Sequence, residues 1–176
     1  SLIDKGEWRK SCGVVMQDGY IFSDSIANNI AESSDIVDKS RLLTAVKTAN
    51  IQEFIETLPL AYNTQIGPKG IGVSLGQQQR LLIARAIYKK PELLFLDEAT
   101  NALDANNEKT IVSNLNEITK NKTVVVVAHR LSTVKNADKI IVLEHGEIIE
   151  EGTHKELVAM QGAYFNLIKN QLELGN

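Results

Sequence analysis

Val73-Ser74-Leu75-Gly76-Gln77-Gln78-Gln79-Arg80 is followed, after one helical stretch, by Leu93-Leu94-Phe95-Leu96-Asp97-Glu98. The first run places a serine hydroxyl and a glycine amide at a helix start, where exposed N–H groups and the positive end of the helix dipole favour an anion. The second ends an apolar strand in two adjacent carboxylates. One suits a magnesium ion and the other a water molecule. Together they read as phosphate chemistry on a nucleotide.

Working outward, Cys12–Met16 has strand character and Gln17-Asp18-Gly19 is a turn. Helices are expected over 25–31, over 38–49 with Asp38 as cap, and over 51–57. Pro59 to Val73 carries Pro59, Gly67, Pro68, Gly70 and Gly72, and reads as a loop. The helix over 76–88 is apolar almost all round in its second half, which implies burial, and Pro91 stops it. Leu93–Leu96, Val124–Val127 and Ile140–Leu143 are continuous apolar runs of strand length. Helical segments at 104–119 and 132–137 separate them, which suggests a parallel sheet covered on both faces. Glu147–Glu150 reads as a small strand after the turn at His145-Gly146. Thr153 and Glu156 form a capping box, and a last helix is expected over 163–172. The expected fold class is α/β with a parallel-sheet core. A helical insert at about 22–90 sits within an α/β region at about 1–21 and 91–152, followed by C-terminal helices at 153–176.

Composition narrows the function classes. The chain has 176 residues, 43% hydrophobic and 23% charged, an ordinary balance for a domain with a sizeable core. A net charge of −3 gives no general attraction to nucleic acid or anionic membrane. Cys12 is the only cysteine, which forbids an internal disulfide and fits a reducing setting. No apolar run approaches the roughly 20 residues needed to span a bilayer. The opening Ser1-Leu2-Ile3-Asp4 lacks a signal pattern and an initiator Met, so the chain reads as a soluble piece of a longer protein.

In an open parallel sheet, ligands bind beyond the carboxyl ends of the strands. Gln17, Asp97-Glu98 and His129 each follow an apolar strand and should project from one edge. Asp97 is a candidate magnesium ligand, the alternative being a helix-capping or solvated acid. Glu98 is the candidate general base on water. His129 can donate a hydrogen bond to a terminal phosphate, and Gln17 can reach a metal or water through its amide. Ser74 and Gly76 combine two readings, helix cap and phosphate contact, which can share one geometry. Asp104 reads as the cap of the helix after it. No role falls to His145 or His154.

These motifs, in this order, resemble the nucleotide-binding domain of ATP-binding cassette (ABC) exporters over nearly the whole chain. Gln17 resembles the Q-loop glutamine, and Thr64–Gly70 the X-loop. Val73–Gln77 stands at the signature, Leu93–Glu98 at Walker B, Asn101–Asp104 at the D-loop and His129 at the switch histidine. The resemblance implies a P-loop NTPase core and an ATPase that works as a pair, most simply a homodimer, with ATP and Mg2+ as cofactors. Ser74, Gly76 and Gln77 would contact ATP held by the partner. Asp97, Glu98, Gln17 and His129 would serve ATP held by their own domain, with Asp104 in the D-loop beside it. The Q-loop and X-loop would meet membrane-spanning domains, placing the assembly at the cytoplasmic face of the plasma membrane. Relatives of this cassette that act on DNA or ribosomes form the alternative. The Thr64–Gly70 loop and the absence of a basic patch argue against them.

Three departures from the family pattern stand out. Leu75 replaces the usual first glycine of the signature and should resist a positive φ. Asn101 replaces the commoner serine. No Gly-x-x-x-x-Gly-Lys-[Ser/Thr] occurs, so the phosphate cradle and its lysine are absent from this sequence. The isolated chain is therefore expected to bind Mg-ATP poorly and to expose apolar sheet surface that favours self-association. Ala99–Glu108 and the 170–176 tail resemble bacterial exporters that carry a peptidase domain and secrete peptides, which suggests a peptide cargo.

Overall fold

The computed structural model describes residues 4–32, 36–128 and 131–174. In chain order the elements are α1 (Lys5–Ser11), β1 (Cys12–Val15), β2 (Asp24–Ser25), α2 (Ile26–Ala31), α3 (Lys39–Thr48) and α4 (Gln52–Thr57). After a 3-10 turn at Ala61–Asn63 come β3 (Gln65–Ile66), α5 (Leu75–Tyr88), β4 (Leu93–Asp97), α6 (Ala105–Ile118) and β5 (Thr123–Val127). Then follow α7 (Leu131–Val134), β6 (Ile140–Glu144), β7 (Glu147–Gly152), α8 (His154–Met160) and α9 (Ala163–Leu174). The chain divides into two compact units, 1–127 and 128–176.

In the first unit, β1, β4 and β5 form a parallel sheet in the order β1-β4-β5. Parallel pairing demands crossovers: the mostly helical stretch 26–88 joins β1 to β4, and α6 joins β4 to β5. One hydrophobic core unites sheet and insert. It includes Val15, Leu94 and Leu96 from the strands, Ile26, Val46 and Ile55 from the insert, and Leu81 and Ile83 from α5. Eight of the fourteen residues of α5 are buried, including Gln79 and Arg85, as the near-continuous apolar run implied. Asp38 caps α3 through bonds from the Ser40 and Arg41 amides, as expected. The helix α1, capped by Asp4, was not foreseen, because nothing in its sequence is buried to leave an apolar pattern.

Two expectations about the strands need correction. Cover on both faces fails for β5, where Val124–Val127 are each 37–52% exposed. This strand lies at the end of the sheet order. Ile140–Leu143 does not extend the parallel sheet either. In the second unit β6 pairs antiparallel with β7. The turn His145-Gly146, with φ of 50° and 85°, explains this, since two successive left-handed residues make the tight hairpin turn that folds the next segment straight back. Thr153 and Glu156 form the anticipated capping box on α8. Glu150 accepts the first amides of α9, from Ala163 and Tyr164, at 2.6 and 2.9 Å.

The loop before α5 depends on one glycine in particular. Gly67 has φ +89°, and a Cβ there would lie 2.5 Å from the Phe22 carbonyl oxygen. Both the conformation and the space exclude a side chain. Gly67→Ala is therefore expected to destabilise the chain by about 2 kcal/mol. A thermal unfolding midpoint equal to that of the unsubstituted chain would refute this.

Candidate nucleotide site

The register of the sheet sets the site. Val15 stands opposite Leu96, and Asp97 opposite Val127, so β1, β4 and β5 end together. Gln17 and the Asp97-Glu98 pair therefore leave the sheet at one edge, as the sequence suggested. Gln17 and Asp97 are exposed and Glu98 is partly exposed. Adjacent strand residues ordinarily point to opposite faces. Here Glu98 adopts φ +48°, while its amide still donates to the Val127 carbonyl at 3.0 Å, so the chain turns off the strand at this residue. The Asn101 side chain donates a hydrogen bond to the Glu98 carboxylate. His129, the remaining candidate at this edge, lies outside the described residues.

Asp97 and Gln17 offer hard oxygen donors, few in number and open to solvent. That suits magnesium, which keeps several waters and takes one or two protein oxygens together with substrate phosphates. Among the described residues no group of three or more His, Cys, Asp or Glu could hold a metal ion.

Ser74 is the N-cap of α5. Its hydroxyl accepts the Gln77 amide at 3.2 Å, and the Gln77 side chain accepts the Ser74 amide at 2.9 Å, a complete capping box. The cap reading is thus realised, with the Ser74 side chain at an exposed helix start. Leu75 does not meet the expected difficulty. It is the first helical residue, has no positive φ, and is 73% exposed. Gly76 has a reason for being glycine that the sequence did not reveal: a Cβ there would lie 3.2 Å from the Ala102 carbonyl oxygen.

Asp104 caps α6, accepting the amides of Asn106 and Asn107 at 3.1 and 3.0 Å and the Asn107 side chain at 2.5 Å. The Asn107 amide and side chain hold its carboxyl below the usual range. Arg80 connects this region to the insert, donating to the Asn50 carbonyl at 2.7 Å and to Asn107 Oδ1 at 3.3 Å. Burial pulls its pKa down, and the Asp104 charge opposes that.

Sequence reasoning missed the bonds that polar residues of α5 make to distant segments. Gln78 donates to the Gly19 carbonyl at 2.8 Å, just past Gln17. Gln79 bonds Glu98 and Ala102. Arg85 donates to the carbonyls of Asn29 and Tyr20 at 2.7 and 2.9 Å and to Asn29 Oδ1 at 3.2 Å. Desolvation lowers the Arg85 pKa, and Glu32 opposes it. One signal was available: a guanidinium between Ala84 and Ala86 on a buried helix must find partners.

The sequence profile described as ABC transporter matches residues 3–101. An ATP-dependent lipid A-core flippase of Haemophilus influenzae (strain 86-028NP) is 49% identical over 164 residues, which are 93% of this chain and 28% of the relative. The flippase of the same name from Pasteurella multocida (strain Pm70) is 49% identical over 160 residues, 90% of this chain and 28% of the relative. Among solved structures, a bacterial Atm1-family ABC exporter with ATP bound aligns with a TM-score of 0.88 and 38% identity. That alignment covers 93% of this chain and 29% of the exporter. The chain thus spans under a third of the length of the relatives it matches.

Proposed function

We propose, from the premise that this chain belongs to the ABC transporter family, that it is the ATP-binding and hydrolysing part of an exporter. Its activity couples nucleotide turnover to transport through membrane-spanning domains of the same protein. The observation that carries this reading is the common edge of the parallel strands, where Gln17, Asp97 and the left-handed Glu98 emerge together. Asp97 and Gln17 would hold Mg2+, which neutralises developing phosphate charge when bound. Glu98 would accept the proton of the attacking water. His129 would donate to the terminal phosphate. Ser74, Gly76 and Gln77 would present the start of α5 to ATP held by a second copy, with Asp104 anchoring the intervening turn.

The division into an insert at about 22–90 and an α/β core belongs to this proposal, as does attachment at the cytoplasmic face of the membrane. No helix among the described residues is long and apolar enough to cross a membrane itself. A peptide cargo rests on the resemblance of 99–108 and 170–176 alone, whereas two similar proteins are described as lipid A-core flippases.

Mixing two disabled full-length proteins tests the paired arrangement. Ser74→Arg and Glu98→Gln should each nearly abolish turnover in liposomes. A mixed pair contains one site with intact Glu98 from one copy and intact Ser74 from the other. Co-reconstitution should therefore recover a substantial fraction of the activity. If mixed pairs form and no activity returns, the assignment of Ser74 to the partner's nucleotide fails.

A further inference from the structure

Gln79 lies on α5, two residues beyond the capping box, and is 6% exposed. A buried primary amide is costly unless its donor and acceptor are both satisfied. Here both are satisfied by a single target. Nε2 donates to the Glu98 carbonyl at 3.0 Å, and Oε1 accepts the Ala102 amide at 2.9 Å. The side chain therefore closes over the turn that carries the general base.

That turn needs support. A non-glycine residue in the left-handed region carries strain of about 1–2 kcal/mol and persists only where its surroundings hold it. Three backbone bonds hold Glu98 besides any side-chain contact. Its amide donates to Val127, and its carbonyl accepts from the Asn101 amide at 3.1 Å as well as from Gln79. Of these partners, only Gln79 comes from α5. Gly76 on the same helix abuts the Ala102 carbonyl, so the first turns of α5 meet the turn at two places.

We propose that Gln79 is a positioning residue for Glu98. Its amide holds the left-handed peptide of Glu98, and so sets the direction of the carboxylate. It also makes that direction depend on α5, the helix that begins at Ser74. The proposal rests on the reading of Glu98 as the base.

The test uses full-length protein in liposomes. Gln79→Met keeps the volume and removes both bonds. Gln79→Glu keeps the acceptor for Ala102 but, when ionised, cannot donate to Glu98. Both should lower kcat by about 10- to 100-fold, the scale of a misplaced catalytic group, with KM for ATP little changed. In a Glu98→Gln background, Gln79→Met should leave the residual turnover unaltered, because an effect relayed through Glu98 cannot be lost twice. An unchanged kcat in folded Gln79→Met protein overturns the proposal, as does an undiminished effect in the Glu98→Gln background. If Gln79→Met fails to fold, Gln79→Glu answers the same two questions. Normal turnover by Glu98→Gln alone would instead refute the base assignment, and the two failures are distinguishable.

Discussion

Glu98→Gln in the full-length protein is expected to lower ATP turnover by about 10²–10⁴-fold while leaving Mg-ATP binding nearly intact. Glutamine matches glutamate in shape, and its side-chain oxygen can still accept from the Asn101 amide that now bonds Glu98. Backbone bonds from Glu98 to Val127 and Gln79 are untouched by the change. The negative charge and the capacity to take a proton disappear. A nucleotide trapped without turnover is the anticipated state, read by steady-state hydrolysis beside equilibrium binding. Turnover at the normal rate would remove Glu98 from the chemistry. Loss of binding in step with turnover would mean that the carboxylate serves the nucleotide rather than the water.

Arg85→Ala is expected to be the most damaging change to stability away from that site, at about 3–4 kcal/mol. The guanidinium satisfies the Asn29 and Tyr20 carbonyls and the Asn29 side chain, and it stacks 5.1 Å from the Phe22 ring centroid. Asn29 in turn ties Phe22, Asp24 and Ser25 to α2 through four hydrogen bonds. Removing Arg85 strips a buried junction of its donors and leaves a cavity in the core. For a chain of this size the melting temperature should fall by roughly 6–15 °C. Arg85→Lys should recover part of the loss only, because one ammonium cannot reproduce the forked geometry. A melting temperature within about 2 °C of the original for Arg85→Ala would contradict this account.

Much of the fold was legible because its signals are local. Ser74, Asp38, Asp104 and Thr153 announce helix starts, and all four accept helix amides in the structure. Leu93–Leu96 and Val124–Val127 announce strands, and they pair in parallel register. The position of Asp97-Glu98 at a strand end followed from that pattern, since a carboxylate after an apolar run marks the edge of a sheet. Leu75 shows the limit of reasoning by family pattern. A leucine in a glycine position suggested backbone strain, yet the residue sits in ordinary helical conformation.

The sequence by itself determined where the capped helices α3, α5, α6 and α8 begin, which apolar runs are strands, and that Gln17, Asp97 and Glu98 leave one sheet edge. Neighbouring residues encode those features through caps and hydrophobic periodicity. Only the tertiary structure decided that β6 turns back on β7, that Gly76 makes room for a carbonyl, and that Gln79 and Arg85 fasten α5 to segments 19 and 56 residues away. Such contacts join residues distant in the chain and obey no period. A single buried amide or guanidinium shows that partners must exist, but the partners become known only when the chain has packed.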